Sequence, residues 1–444
     1  MTRPPDHPAT RRVSAAVATA LLSLALAGAA GPPPQAGDQP PAPGALEREL
    51  SLPPASRAGA AASGGGPPLS NPIEIPFIFE GGHIIVEASI DGTAPRPFMF
   101  DTGARITITP EVAHTLNAAV VDTGRVGGIG PKISRVDKIK VGRISIGPAT
   151  IDGPTVSVLE MPNVLLDRGS RPRLGGLIGS ELLARYAVSI DFQRRLLILN
   201  SPGYRPHSAA FSLPLGLVML PDGLSHPSIA VEVDGAAGDF IIDTGASGQV
   251  LVSEKFQQEH RPFAQIAPIL RFLSPGGVGG HVNVQMGFGK RLQFGSSTLS
   301  PPVVSGVDEL RGSTLGRGMA SHISGVIGTA ILAQFIVTID YQSVRAYFEP
   351  VAGRPLPTAL HGTGMILDKP DHEAFEILDI LKGSSADRAA LRRGDRIVEV
   401  AGHPAHDLST SDVQSLSSAP AHTSLTIRTS DQRRIDLAIR QTLP

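Results

Sequence analysis

The sequence predicts a mainly β protein made of two copies of one unit, followed by a smaller β-rich domain. Three observations carry this. Gly (49) and Pro (40) are abundant, Trp is absent and Tyr (4) is sparse, which favours many turns and short strands over long helices. An apolar strand ending in Asp-Thr-Gly-Ala occurs twice, as Phe98-Met99-Phe100-Asp101-Thr102-Gly103-Ala104 and as Phe240-Ile241-Ile242-Asp243-Thr244-Gly245-Ala246. Residues 176–193 align without a gap to residues 325–342, from Gly176-Leu177-Ile178-Gly179 against Gly325-Val326-Ile327-Gly328 to Ile190-Asp191-Phe192-Gln193 against Ile339-Asp340-Tyr341-Gln342.

The chain opens with an export signal, residues 1–30. Arg11 and Arg12 form its charged region, residues 13–30 carry no charge, and Ala25-Leu26-Ala27 offers a small-x-small cleavage site. An exported protein, periplasmic or secreted, follows. The alternative is a membrane tether, because 18 apolar or small residues nearly reach spanning length. The many Ala and Ser argue for cleavage, and no later segment reads as a membrane span. With no Cys there is no disulfide, thiolate metal site, cysteine nucleophile or lipidated cysteine. Residues 31–70 are a Pro/Gly/Ala-rich linker.

Residues 71–202 and 203–352 are the two copies. An Asp-Gly turn precedes each Asp-Thr-Gly, as Asp91-Gly92 and Asp234-Gly235. A glycine cluster follows each: Gly127, Gly128, Ile129 and Gly130 in the first copy, and Gly276, Gly277, Val278, Gly279 and Gly280 in the second. From each cluster to the Leu/Val-Ile-Gly stretch the spacing is the same 49 residues. Glycines between two strands suit a mobile hairpin tip. Two facing Asp loops would bring Asp101 and Asp243 side by side. Such a pair cannot both ionise, so it shares one proton and supplies a base and an acid together. Asp122-Thr123-Gly124 is a third copy without the following Ala or the downstream partner, and it reads as a strand-end turn. Arg105 and Ser247, beside the two Asp loops, read as solvent-facing.

Residues 353–444 form the last domain. Residues 386–391 read as a short helix and residues 393–402 as turn, strand, turn. A net charge of −1 argues against a nucleic-acid partner. No Gly-x-Ser-x-Gly elbow or phosphate loop occurs, and His372-Glu373-Ala374-Phe375-Glu376 places Glu where a zinc-protease motif needs its second His. No metal and no cofactor are expected.

Residues 73–350 resemble the retropepsin-like aspartic proteases. Hydrophobic-hydrophobic-Asp-Thr-Gly-Ala, a glycine-rich flap, and a hydrophobic-hydrophobic-Gly stretch leading into a helix occur in that order in both halves. The resemblance implies the fused, two-lobed plan of pepsin-like enzymes. It also implies a catalytic dyad of Asp101 and Asp243 holding one water, with no covalent intermediate and a polypeptide as substrate. Thr102 and Thr244 would bond across the loops, and Gly103 and Gly245 would let the backbones approach. The glycine clusters would be flaps without the aromatic residue of pepsins. Ala104 and Ala246 imply a mildly acidic optimum. Residues 383–402 make the tail resemble a PDZ domain, in which Thr363, Gly364, Met365 and Ile366 would receive a peptide or protein C-terminus. The reading is an aspartic endopeptidase with a PDZ domain. One alternative is a non-catalytic peptide-binding scaffold with the same folds, and another is an inactive precursor whose residues 31–70 cover the cleft.

Overall fold

The computed structural model describes residues 26–28, 69–219, 225–308, 322–351, 356, 360–417 and 424–443. The charged leader and the Pro/Gly/Ala-rich stretch as far as residue 68 lie outside these, apart from a short strand, Leu26–Gly28, paired antiparallel to Val120–Gly127. Among the described residues no helix is long and apolar enough to cross a membrane.

Each lobe is built around the strand that ends at its Asp. In the first lobe, His83–Ile90 runs antiparallel to Arg96–Asp101, and the left-handed Asp91 and Gly92 make the turn between them. On the other side, Gly176–Gly179 pairs in parallel with the same strand, with Gly179 opposite Asp101. The Asp strand is therefore flanked by hydrogen-bonded partners on both edges. It is buried on both faces, which explains its unbroken apolar run. Only glycine fits at 179, because a Cβ there would lie 1.7 Å from the Asp101 carbonyl oxygen. The second lobe repeats the scheme: Ser225–Val233 pairs with Ala236–Ile242 across Asp234-Gly235, and Ile323–Ile327 lies parallel to the Asp strand.

A six-stranded sheet joins the lobes. Its order is Phe211–Pro214, Arg345–Pro350, Phe335–Asp340, Ala187–Asp191, Leu196–Asn200 and Ile73–Pro76. At its centre the two repeats pair with each other, and Ser189 lies opposite Thr338 with their hydroxyls 2.7 Å apart. These residues are separated by 149 positions, the offset of the sequence repeat. Phe211, Phe294, Phe335 and Phe348 pack edge-on or stacked at its second-lobe end.

The glycine clusters form hairpin tips. Val120–Gly127 and Ser134–Lys140 make the first hairpin, Leu270–Gly277 and Gly280–Phe288 the second. Asp122-Thr123-Gly124 is not a strand-end turn: it lies inside the outer strand of the first hairpin, next to a register shift. Its ladder partners take up the backbone that a turn would leave free, and the Asp122 side chain faces Lys138 at 3.6 Å.

The last domain has its own core, formed around Phe375, Ile377, Ile397, Val400 and Leu425. Its short helix covers Ser385–Arg388, and the strand after the Gly-Asp turn covers Arg396–Val400. A second helix spans Thr410–Ser417.

Candidate active site

Asp101 and Asp243 end equivalent strands and meet at the seam between the lobes. Both are buried, at 0% and 2% exposure. The loops that carry them are locked reciprocally. Thr102 N donates to Thr244 Oγ1 at 3.0 Å, and Thr244 N donates to Thr102 Oγ1 at 3.0 Å. Each hydroxyl then donates onward across the seam, Thr102 Oγ1 to the Ile242 carbonyl at 2.7 Å and Thr244 Oγ1 to the Phe100 carbonyl at 2.8 Å. A donor and an acceptor on one hydroxyl are needed at both positions, which only Ser or Thr supplies in so small a volume. Within each loop the glycine N–H holds its own Asp, Gly103 N to Asp101 Oδ1 and Gly245 N to Asp243 Oδ1, each at 2.8 Å. Gly245 must lack a side chain, because a Cβ would sit 2.3 Å from Asp101 Oδ2.

Burial raises both carboxyls, and at Asp101 the neighbouring Asp243 charge raises it further. The two side chains lie within bonding reach of each other, yet Asp101 Oδ2 meets no protein donor. Two ionised carboxylates are both acceptors, so their contact becomes a hydrogen bond only when one holds a proton.

Two histidines escaped the sequence reading. His83 lies one step beyond the Ile84–Phe100 pair in its ladder, and His226 two steps beyond Ser228–Ile241, so each stands opposite the Asp of its own lobe. Both are buried. His83 lies beside the Thr244 backbone and His226 beside the Thr102 backbone, each reaching the opposite lobe, although neither ring nitrogen of His226 makes a hydrogen bond of good geometry. Burial lowers both to about 4, so near neutrality they are uncharged. Counting back across each Asp-Gly turn was the available signal.

Arg105 and Ser247 are not solvent-facing. Ser247 is buried against the backbone of Gly82, and Arg105 faces Glu181, 3.5 Å away, in a mostly enclosed pocket. The flanking strands close over both loops, which a linear neighbourhood does not reveal.

The hairpin tips meet each other. Gly130 N donates to the Val278 carbonyl at 3.0 Å, and Lys132 N to the Gly279 carbonyl at 3.2 Å. Each tip crosses over: Ile129 packs among second-lobe residues such as Ile241 and Ala246, and Val278 among first-lobe residues such as Ile85, Met99 and Ala104.

In the last domain, Thr363 and Gly364 form the bend before Met365–Asp368, an edge strand paired only to Phe375–Ile380 among the described residues. The carbonyls of Thr363 and Gly364 accept from Ala386 N and Leu381 N, which fixes the bend. The second hairpin packs beside Met365–Asp368, with His281 Nε2 3.7 Å from Asp368 Oδ2.

Two segments of the chain match family models. Residues 86–182 match the aspartyl protease family and residues 376–429 match the PDZ domain. Among solved structures, an aspartic proteinase from Irpex lacteus is similar at 12% identity and a TM-score of 0.39, covering 63% of this chain and 98% of that one. A retropepsin-like aspartic protease from Rickettsia conorii is similar at 24% identity and a TM-score of 0.21, covering 29% of this chain and 89% of that one. No curated protein matches the chain. The chain thus carries an aspartyl protease segment at residues 86–182 and a C-terminal PDZ domain segment at residues 376–429, within a mainly β, two-lobed architecture.

Proposed function

We propose that this protein is an exported aspartic endopeptidase that hydrolyses polypeptides through the Asp101/Asp243 dyad. One observation carries the reading: two buried carboxyls from equivalent strands meet at a lobe seam locked by reciprocal threonine bonds, and burial raises both. In the proposed step, ionised Asp243 takes a proton from water as its oxygen attacks the peptide carbonyl carbon. Protonated Asp101 gives its proton to the carbonyl oxygen. The tetrahedral diol then collapses. The C–N bond breaks, the amide nitrogen takes the proton held by Asp243, and a hydroxyl proton of the diol returns to Asp101. A carboxyl product, an amine and a singly protonated dyad remain, with no covalent intermediate. The reciprocal Thr102/Thr244 bonds hold the carboxyls in position without reorganisation. Closure of the Gly127–Gly130 and Gly276–Gly280 tips would exclude bulk water and orient the peptide. The PDZ domain would bind an extended peptide, including a free C-terminus, along Met365–Asp368 near Thr363 and Gly364.

The test is incubation of the protein with an unstructured polypeptide between pH 4 and 7. Cleavage is expected, blocked by a transition-state aspartyl inhibitor and lost in Asp101→Asn and in Asp243→Asn. Cutting that survives either substitution overturns the dyad. Peptide binding without cutting at any pH would instead make the chain a scaffold.

A further inference from the structure

The PDZ domain touches both lobes. On the first lobe it is seated through a buried ionic seam. Lys369, which follows the edge strand, is fully buried. Its Nζ donates to Asp167 Oδ1 at 2.7 Å and to the Ala405 carbonyl at 3.1 Å. The other Asp167 oxygen faces His372 Nδ1 at 2.8 Å, and Asn163 Nδ2 donates to the Lys369 carbonyl at 3.0 Å. Nearby, Arg171 bonds to Asp412 and to Ser409 Oγ, at the start of the PDZ helix.

On the second lobe the domain holds one hairpin. Leu270–Gly277 is the edge strand of its sheet, and it runs against both Met365–Asp368 and Phe375–Ile380. Leu273 stands opposite Asn283 of its own hairpin, yet its N–H is given to the PDZ domain, to Asp379 Oδ2 at 2.7 Å. An edge N–H capped by a side chain of another domain ties the strand to that domain. Toward the tip, His281 Nε2 lies 3.7 Å from Asp368 Oδ2, and Pro275 shares a small cavity of about 60 Å3 with Thr410 and Ser411 of the PDZ helix.

The tip of this hairpin is packed down. Val278 is 1% exposed and belongs to the apolar cluster that includes Ala104, the residue after Asp101-Thr102-Gly103. Its first-lobe counterpart Ile129 is 3% exposed and belongs to the cluster that includes Ala246, the residue after Asp243-Thr244-Gly245. An extended polypeptide takes up about 4.8 Å beside a neighbouring strand. One that passes between the tips and the two Asp loops has to lift Val278 and Ile129 out of these clusters. Lifting the second tip draws Leu273 and His281 away from a domain that the Lys369–Asp167 pair holds on the first lobe.

We propose that the PDZ domain latches the second hairpin shut through Asp379 and Asp368, so that the free protein is self-inhibited and substrate enters when the latch breaks. The kinetic consequence rests on the endopeptidase reading; the latch itself does not. Asp379 is a positioning residue, because it acts through Leu273 N. When only the open fraction binds, the apparent affinity is reduced by that fraction. Weakening the latch therefore lowers KM and leaves kcat as it is, whereas lost substrate contacts raise KM.

The chain contains no cysteine, so Val278→Cys places a single thiol at the buried tip. Its rate of modification by a thiol reagent reads the open fraction without turnover. In that background Asp379→Ala should raise the rate about fivefold, as expected for the loss of one net hydrogen bond. Asp379→Asn keeps an acceptor oxygen and should stay within about twofold of the parent. In the cysteine-free chain, Asp379→Ala should lower KM for one peptide about fivefold with kcat unchanged. Melting temperatures confirm that the variants fold. Equal thiol rates in all three proteins, or an Asn variant that behaves as the Ala variant, overturn the latch. A KM that rises in Asp379→Ala overturns the self-inhibition. If no variant cuts, the endopeptidase reading fails separately, and the thiol rates still decide the latch.

Discussion

The seam between the lobes and the seam between the first lobe and the PDZ domain are both buried and polar, but they are built on opposite principles. The lobe seam is symmetric and nearly uncharged: reciprocal threonine bonds, two neutral histidines and two carboxyls that burial raises. The PDZ seam is asymmetric and ionic, with Asp167 holding both Lys369 and His372. The difference teaches where each chemistry can be afforded. A salt bridge at the dyad would fix its charge state and end the shared proton. Away from the dyad a buried ion pair holds one domain in one orientation on another, because any other docking leaves Lys369 without its carboxylate.

The two seams should therefore break differently. Asp167→Ala leaves the Lys369 ammonium buried and unpaired, and should cost about 3–5 kcal/mol in chemical denaturation. The double variant Asp167→Ala/Lys369→Met should recover much of that loss, because no stranded charge remains. Recovery would sharpen the picture of an ionic seam; a double variant as unstable as the single one would break it.

The histidines offer the next largest effect. His226 has a folded pKa of about 4 against a usual value of 6.5. Between these values the unfolded chain takes a proton that the folded chain refuses. Its contribution to stability is therefore whole above about 6.5, falls as pH drops, and is gone near 4. The loss is on the order of 3 kcal/mol. His226→Gln lacks this term, so its stability relative to wild type should improve between pH 7 and pH 4.5. A constant difference across that range would mean that the lobe seam is not a neutral one.

Gly245→Ala pushes a methyl toward Asp101 Oδ2 and should lower kcat/KM by about a hundredfold, with a smaller change in melting temperature. The smallest effect belongs to the second hairpin. Asp379→Ala removes the acceptor for Leu273 N and should cost about 1 kcal/mol, seen as faster amide exchange in residues 270–277.

Much of the lobe seam was legible in the sequence, because duplication writes it twice. The Asp strands, the Leu/Val-Ile-Gly partners and the glycine tips recur at fixed offsets, and each has a local physical cause. The pairing of Ser189 with Thr338 even repeats the sequence offset in space. The PDZ seam had no such signal. Lys369 and Asp167 are single charges with no period, and burial alone separates them from solvated ones. Asp122-Thr123-Gly124 shows the converse, since a motif that elsewhere ends a strand lies here within one, held by its ladder partners.

The central claim is a shared proton at the lobe seam, and the pH profile of kcat/KM on one peptide tests it most directly. The account predicts a bell. Its acid limb should lie above the ordinary Asp value of 3.8, because burial raises both carboxyls, and its alkaline limb should mark loss of the proton raised at Asp101 by burial and by Asp243. A profile governed by one ionisation, with activity persisting as the pH rises, would contradict it.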